Sequence, residues 1–152
     1  MKKTFALLTA AATLVGTTAI AQQADMAVKA RQGQFNTLAL NLGILGDIAR
    51  GNAEYDEATA TDAADSIVAI SMVHQPILWP EGTSTEDRDE TRALPAIWED
   101  QDDFFAKWEA LGEAAEGMQT AAAEGAEAIG PAMRALGGAC GDCHDSYRQS
   151  DD

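Results

Sequence analysis

Two cysteines and a histidine stand close together near the C-terminal end of the chain, as Cys140-Gly141-Asp142-Cys143-His144. On a helix the two cysteines would share a face, because they are three residues apart, and His144 would adjoin that face. Two thiols so placed can bond to the two vinyl groups along one edge of a haem, and the imidazole can bind its iron. This spacing predicts one covalent haem c, held by thioether bonds from Cys140 and Cys143, with His144 as the proximal iron ligand.

Three other uses of these residues compete with haem attachment. A disulfide between Cys140 and Cys143 would have poor geometry at this spacing on a helix. A thioredoxin-like redox pair is expected in a βαβ context, and the sequence shows no such context. A zinc site would need a second pair of ligands, which His74 alone cannot supply. We therefore favour haem.

The composition limits the partners and the fold class. The 152 residues include 25 acidic and 10 basic ones, so the formal net charge is −15. Too few cations are present to neutralise the phosphates of a nucleic acid or of an anionic membrane surface, so neither is expected as a partner. Alanine and glycine are abundant, and β-branched residues do not alternate in strand-like runs, which favours an all-α fold.

The first 21 residues have the features of a secretory signal peptide. A basic start (residues 1–3) precedes an apolar stretch (residues 5–15) and a small-x-small site (residues 19–21). A membrane anchor is the alternative, but the stretch is shorter than the roughly 20 apolar residues of a span. Cleavage after Ala21 would leave residues 22–152, with 8 basic and 25 acidic residues and a net charge of −17. We expect an exported, periplasmic product without membrane insertion.

Apolar residues spaced alternately by three and four predict four amphipathic helices. The first covers roughly residues 25–50, with Gly51 just past its end. The second runs from an N-cap at Asp56 towards Gln75, where prolines end it. The predicted inner residues of the first helix are Val28, Arg31, Phe35, Leu38, Leu42, Leu45 and Ala49. Those of the second helix are Ala63, Ile67, Ile70 and Ile77.

The second half of the chain repeats this pattern after one long loop, residues 79–94. Pro95 can open the third helix at its first position, and the fourth begins near either Gly125 or Gly130-Pro131. Two short connections and one longer one predict an antiparallel four-helix bundle as a single domain. The predicted inner residues of these two helices are Ile97, Phe104, Trp108, Leu111, Ala115 and Met118, then Ile129, Met133, Leu136, Cys140, Cys143 and Tyr147.

A second axial ligand of the iron would have to come from an earlier helix, because none of the eight residues after His144 is Met, His or Lys. Methionines on inner stripes usually fill a core, and a residue close to a chain end is often poorly ordered. The sequence therefore offers no strong candidate for a sixth ligand. The candidates are Met26, Met72, Met118, Met133 and His74.

Four segments of the sequence resemble one family. The C-terminal Cys-x-x-Cys-His-x-x-Tyr-Arg motif, residues 27–32 (AVKARQ), residues 79–83 (WPEGT) and residues 93–98 (ALPAIW) are similar to cytochrome c′, the class II c-type cytochromes. The similarity spans essentially the whole predicted mature chain. It implies a high-spin, five-coordinate haem with His144 proximal and a crowded, apolar distal face.

The resemblance also implies roles for residues of the first helix. Low-spin relatives carry a methionine ligand at the position of Phe35, and a phenyl ring cannot donate to iron. Phe35 would then cover the distal face. Arg31 lies on an apolar seam, where an unpaired charge is costly, so we expect it to bind a haem propionate, with Gln32 assisting. The alternative is that Arg31 extends to the solvent at the helix end.

Three further residues are expected near the haem. Arg148 is four residues after His144, which would place it on the same helical face beside the proximal imidazole; a solvent-exposed Arg148 is the alternative. Trp79 and Trp98 are expected to pack near the haem, although aromatic residues of a core away from the haem would look the same in sequence.

These residues predict a haem protein that binds nitric oxide or carbon monoxide at a shielded iron and carries single electrons, and not an enzyme. The alternative is a low-spin electron-transfer cytochrome with a Met or His74 as distal ligand. The acidic surface favours a basic redox partner protein, and the resemblance implies a homodimer formed through the first two helices.

Overall fold

Helices form nearly all the regular structure of the computed structural model, which describes residues 6–150 and, within 6–20, the backbone only. The helices are α1 (Ala6–Ala49), α2 (Glu57–Ser71), α3 (Ala96–Glu99), α4 (Gln101–Glu124) and α5 (Ala126–Tyr147), with a 3₁₀ turn at Pro76–Leu78. No helix within the described residues is both long and apolar enough to cross a membrane.

The four long helices pack as a closed ring. Helix α1 contacts α2 and α5, and α4 contacts the same two helices. Each long helix can therefore bury its apolar stripe between two neighbours, which is the packing of a four-helix bundle. The predicted all-α bundle is confirmed.

Helix α1 ends as predicted but begins earlier. It starts at Ala6 and runs through the predicted signal segment, which is rich in helix-forming alanine and leucine. The cleavage after Ala21 stays a prediction, and residues 1–5 lie outside the described residues. Gly51 has a φ of 73° just past the helix end. Ala49, predicted to face inward, is exposed, while Ile48 is buried. A straight helix drifts by about 20° per heptad from a strict 3.5-residue repeat, which explains this shift.

Helix α2 begins at the predicted cap and ends four residues early. The Asp56 side chain accepts a hydrogen bond from the Thr59 backbone N–H at 2.8 Å, so the N-cap is confirmed. The helix stops at Ser71, short of the predicted Gln75. The prediction that Ile77 lies on the inner stripe is wrong. Ile77 lies in the 3₁₀ turn and is 77% exposed, and Leu78 is buried in its place.

The predicted third helix is interrupted near its start. Pro95 is the N-cap of α3, not its first helical residue, and Asp100 leaves the helical conformation with φ −138° and ψ 72°. The Asp100 side chain then caps α4 by accepting a hydrogen bond from the Asp103 N–H at 3.1 Å. The sequence pattern runs unbroken over this point because the inner positions stay in register. All the predicted inner residues of this segment are buried: Ile97, Phe104, Trp108, Leu111, Ala115 and Met118.

Gly125 separates α4 from α5. Its φ of 124° is open to glycine and strained for other residues, so the first of the two predicted starts is confirmed. Pro131 lies inside α5. Leu136 and Tyr147 are buried as predicted, whereas Cys140 and Cys143 are only half-buried.

The core has two parts that meet at the cysteines. The larger part lies between the four long helices, and Cys140 packs against it. The smaller part joins the loop to the first turns of α3 and α4, and Cys143 packs against it. The Cys-x-x-Cys-His motif therefore lies at the boundary between the two apolar clusters.

Candidate haem-binding site

A cavity of about 490 Å³ opens at this boundary, between α1, α4, α5 and the loop that precedes α3. Cofactor sites usually measure roughly 300–1,000 Å³ and are lined mainly by apolar and aromatic side chains. Here the wall includes Phe35, Trp79, Phe104, Trp108, Cys140 and His144.

All three residues of the attachment motif line this cavity. Cys140, Cys143 and His144 project from the last two turns of α5. The two cysteines are not joined by a disulfide. Within the described residues no group of three His, Cys, Asp or Glu side chains could hold a metal ion.

The cavity fits a haem attached at the motif. Burial raises the pKa of the Cys140 thiol, and it raises the pKa of Cys143 to about 11. Both thiols therefore lie in an apolar environment, which suits contact with the apolar edge of a porphyrin. Burial lowers the pKa of His144, and the guanidinium groups of Arg148 and Arg92 lower it further. A lowered pKa favours the neutral imidazole, which is the form that binds a metal ion.

Phe35 lies in the α1 wall of the cavity. Its ring meets Trp108 edge-on with centroids 5.9 Å apart and Trp79 with centroids 6.4 Å apart. The side chain remains 37% exposed, so it borders the cavity and is not sealed in the core. This position suits the predicted cover of the distal face, a role that stays a prediction.

Arg31 is buried in the same wall, at 2% exposure, so the alternative that it extends to solvent is wrong. Its Nη1 donates to Thr83 Oγ1 at 2.9 Å and its Nη2 donates to Thr91 Oγ1 at 2.9 Å. Further bonds reach the carbonyls of Leu78 and Thr83, and the guanidinium lies 4.5 Å above the Trp79 ring.

No carboxylate of the described residues forms an ion pair with Arg31. Burial, followed by repulsion from Arg88, lowers the pKa of Arg31 to about 10. A cation held mainly by neutral acceptors beside an apolar cavity is suited to an anionic group in that cavity. Sequence reasoning missed Thr83 and Thr91 as its partners, because nothing in a loop sequence shows which helix the loop will meet.

Gln32 and the two predicted tryptophans differ in their relation to the cavity. Gln32 is exposed at its rim, and its Nε2 donates to the Glu90 carbonyl at 2.6 Å. Trp79 is buried in the wall. Trp98 lies one layer further out: its indole N–H donates to the Trp79 carbonyl at 3.1 Å, and it does not line the cavity.

Arg148 lines the cavity beside His144, but not for the predicted reason. Helix α5 ends at Tyr147, and Arg148 is extended, with φ −120° and ψ 130°. The prediction that Arg148 lies on the same helical face as His144 is therefore wrong. It pairs instead with Ala93 in an isolated antiparallel bridge, and its backbone N–H donates to the His144 carbonyl at 3.0 Å. Arg148 is exposed.

None of the five candidate sixth ligands lines the cavity. Met26 and Met72 are 64% and 68% exposed, and His74 is exposed. Met118 is buried in the larger core cluster, against which Met133 packs. Within the described residues, the cavity wall contains no methionine and no histidine besides His144. The sequence missed Lys107, a half-buried residue of α4 that lines the cavity.

A helical bundle whose last helix carries Cys-x-x-Cys-His into an apolar cavity defines a class of c-type haem proteins. The sequence model of the family described as Cytochrome C′ matches residues 26–148. The chain belongs to the cytochrome c′ family. Members of this family carry a covalently attached haem c, and this is the cofactor that the cavity fits.

Individual relatives are similar to this chain over most of its length. Cytochrome c-554 from Cereibacter sphaeroides is 40% identical over 131 residues, which cover 86% of this chain and 98% of that protein. Cytochrome c′ from the same species is 38% identical over 130 residues, covering 86% and 87%. A solved structure of cytochrome c′ from Rhodobacter sphaeroides has a TM-score of 0.80 at 37% identity, covering 84% of this chain and 98% of the other.

Proposed function

We propose that this chain is a periplasmic haem protein that binds nitric oxide or carbon monoxide and can also carry single electrons. Cys140 and Cys143 attach the haem, and His144 is the single protein ligand of its iron. The observation that carries the proposal is the cavity wall, which within the described residues offers His144 and no second histidine or methionine, while its lysine, Lys107, is paired with Asp103 at 3.5 Å. A free coordination position is what a gas ligand requires.

The residues around the cavity have two roles: some would hold the haem, and others would shield its iron. Ferrous haem supplies the binding of the diatomic ligand. His144 would bind the iron from α5, and Phe35, which contacts Trp79 and Trp108, would shield it from the α1 wall of the cavity. A ring in that place excludes large and polar ligands, because they cannot displace it without losing its aromatic contacts. Arg31 in the wall and Gln32 at the rim would hold the propionates, and Arg148 would border the proximal side.

A structural neighbour supports the gas ligand. A solved cytochrome c prime variant from Alcaligenes xylosoxidans is described as a nitric oxide complex, with a TM-score of 0.72 at 26% identity. The chemistry of the distal wall agrees, since a phenyl ring offers no proton donor or acceptor for cleaving an oxygen–oxygen bond. We therefore propose a role in binding and transfer, and not in catalysis.

Exposed apolar side chains support a homodimer through α1 and α2. Met26 and Leu40 of α1, and Met72 at the end of α2, are each more than 60% exposed. A contiguous exposed apolar patch often marks an interface, and these side chains would contribute to one in the proposed dimer. A related cytochrome c′ is described as showing ligand-controlled dimer dissociation, with a TM-score of 0.73 at 26% identity. The acidic surface would suit a basic redox partner.

Titration of the reduced protein with carbon monoxide tests this function. We expect the absorption spectrum to change with one equivalent of gas per chain, without loss of any protein ligand. In the low-spin alternative, a Met or His74 would first have to leave the iron. Replacing His74 and each methionine in turn would then convert the reduced spectrum to high-spin. Unchanged spectra in all these variants, with stoichiometric gas binding, agree with the proposal, and absence of gas binding would contradict it.

A further inference from the structure

The first turn of α4 presents hydrogen-bond acceptors to the end of α5. Because Asp100 leaves the helical conformation, α4 begins there, and its first turn points Asp103 at the haem-bearing helix. The Tyr147 hydroxyl donates to Asp103 Oδ2 at 2.7 Å and approaches the Asp100 carbonyl at 3.4 Å. The same carbonyl also accepts a hydrogen bond from the Phe104 N–H at 3.1 Å, so Asp103 Oδ2 is the principal acceptor of the hydroxyl.

Tyr147 is well placed to transmit this contact to the haem site. It lies three residues after His144 and four after Cys143, so all three occupy neighbouring positions on the last turns of α5. Tyr147 is buried, and its ring meets Phe104 edge-on with centroids 5.3 Å apart. Tyr147, Phe104 and His144 all line the cavity.

Asp103 is itself held in position. Its backbone N–H donates to the Asp100 side chain at 3.1 Å, which fixes the start of the turn. Its Oδ2 lies 3.5 Å from the Lys107 ammonium, one turn further along α4. A carboxylate in the first turn of a helix is also stabilised by the helix dipole. The acceptor that Tyr147 meets is therefore ordered and charged.

We propose that Asp103 is a positioning residue, which acts through the Tyr147 hydroxyl to fix the segment of α5 that presents Cys143 and His144 to the haem. The hydrogen bond joins α4 to the final turn of α5, at the place where that helix stops and the chain turns into the bridge with Ala93. Loss of the bond frees the last turn to rotate, and the imidazole moves with it. The proposal rests on His144 as an axial ligand.

Two readouts on the haem-loaded protein report the position of the imidazole. They are the iron–histidine stretching frequency of the ferrous form, measured by resonance Raman spectroscopy, and the haem reduction potential. We expect Tyr147→Phe, which keeps the ring and removes only the hydroxyl, to shift both. In an Asp103→Ala background the same substitution should have no further effect, because the acceptor is already absent.

Asp102→Ala is the matched control. Asp102 is an exposed carboxylate of the same first turn that makes no hydrogen bond within the described residues. Its removal changes the helix charge as Asp103→Ala does, but should leave the stretching frequency at its wild-type value. Asp103→Asn, which keeps an acceptor oxygen, should restore that frequency at least in part.

The proposal is overturned if Tyr147→Phe shifts neither quantity, or shifts them equally in the wild-type and Asp103→Ala backgrounds. Far-UV circular dichroism establishes that each variant is folded. A wild-type protein with a low-spin spectrum and no iron–histidine band would count against the proposed function instead. In that event the reduction potentials of the same variants still decide the role of Asp103.

Discussion

Truncation of Phe35 to alanine tests whether this ring covers the gas-binding face. The ring borders the cavity from α1 and makes edge-on contacts with two tryptophans, Trp108 at 5.9 Å and Trp79 at 6.4 Å between centroids. A ligand that reaches the iron past this ring must displace it from both contacts. Alanine removes the obstacle and leaves the rest of the wall in place.

The size of the effect follows from those two contacts. An aromatic pair contributes about 0.5–1.5 kcal/mol beyond its buried area, so two pairs make a barrier of about 1–3 kcal/mol. At about 1.4 kcal/mol per factor of ten, removing that barrier raises the association rate of carbon monoxide between about fivefold and about 150-fold. The cost in stability should not exceed the lower end of the range for buried phenylalanine, about 3 kcal/mol, because the side chain is partly exposed.

Flash photolysis of the carbon monoxide complex measures this rate in the wild type and in Phe35→Ala. Ile77→Ala is the matched control, since Ile77 is a large apolar residue that is 77% exposed, lies outside α1 and α2 and does not line the cavity. Its rate should equal that of the wild type. An unchanged rate in Phe35→Ala would refute the assignment of Phe35 as the distal cover.

Three other predictions concern the hydrogen bonds of Arg31, the attachment of haem by Cys140 and the pH dependence of stability at Asp56. Arg31→Leu strands the loop acceptors and should lower the free energy of unfolding in urea by about 3 kcal/mol, since charged hydrogen bonds are among the strongest; a loss under about 1 kcal/mol would contradict this. Cys140→Ala should leave haem bound through one thioether, which the alkaline pyridine haemochrome band reports; an unshifted band would speak against Cys140 as an attachment site. Hydrogen bonds from Thr59 hold the pKa of Asp56 below its usual value. Its contribution is therefore present above the unfolded-state pKa of about 3.9 and is lost as pH falls through the lower folded-state pKa. The melting temperature of Asp56→Asn should accordingly fall less steeply with acid than that of the wild type, and parallel curves would refute this.

The long helices could be predicted because their inner residues recur with the helical period. Leu45, Ile67 and Leu136 each fall on a predicted stripe and are fully buried. The Cys-x-x-Cys-His motif was equally readable, because its spacing alone brings three functional groups to one region of a helix. The structure places that region in the wall of an apolar cavity.

The features that escaped prediction depend on contacts between distant segments. The apolar pattern does not show the break at Asp100, because the inner residues before and after it keep the same helical spacing. The break depends on the Asp100 side chain, which caps α4. The acceptors of Arg31 lie 52 and 60 residues away, at Thr83 and Thr91. Arg148 was assigned to a helical face that ends one residue before it. In each case the tertiary environment decides between locally similar conformations.

The absorption spectrum of the reduced protein, recorded before any gas is added, tests the central claim most directly. That claim is a haem whose iron has His144 as its single protein ligand. We predict a broad, high-spin spectrum that becomes low-spin when carbon monoxide is added. A sharp α-band in the reduced protein alone would show that a second side chain already binds the iron, and would contradict it.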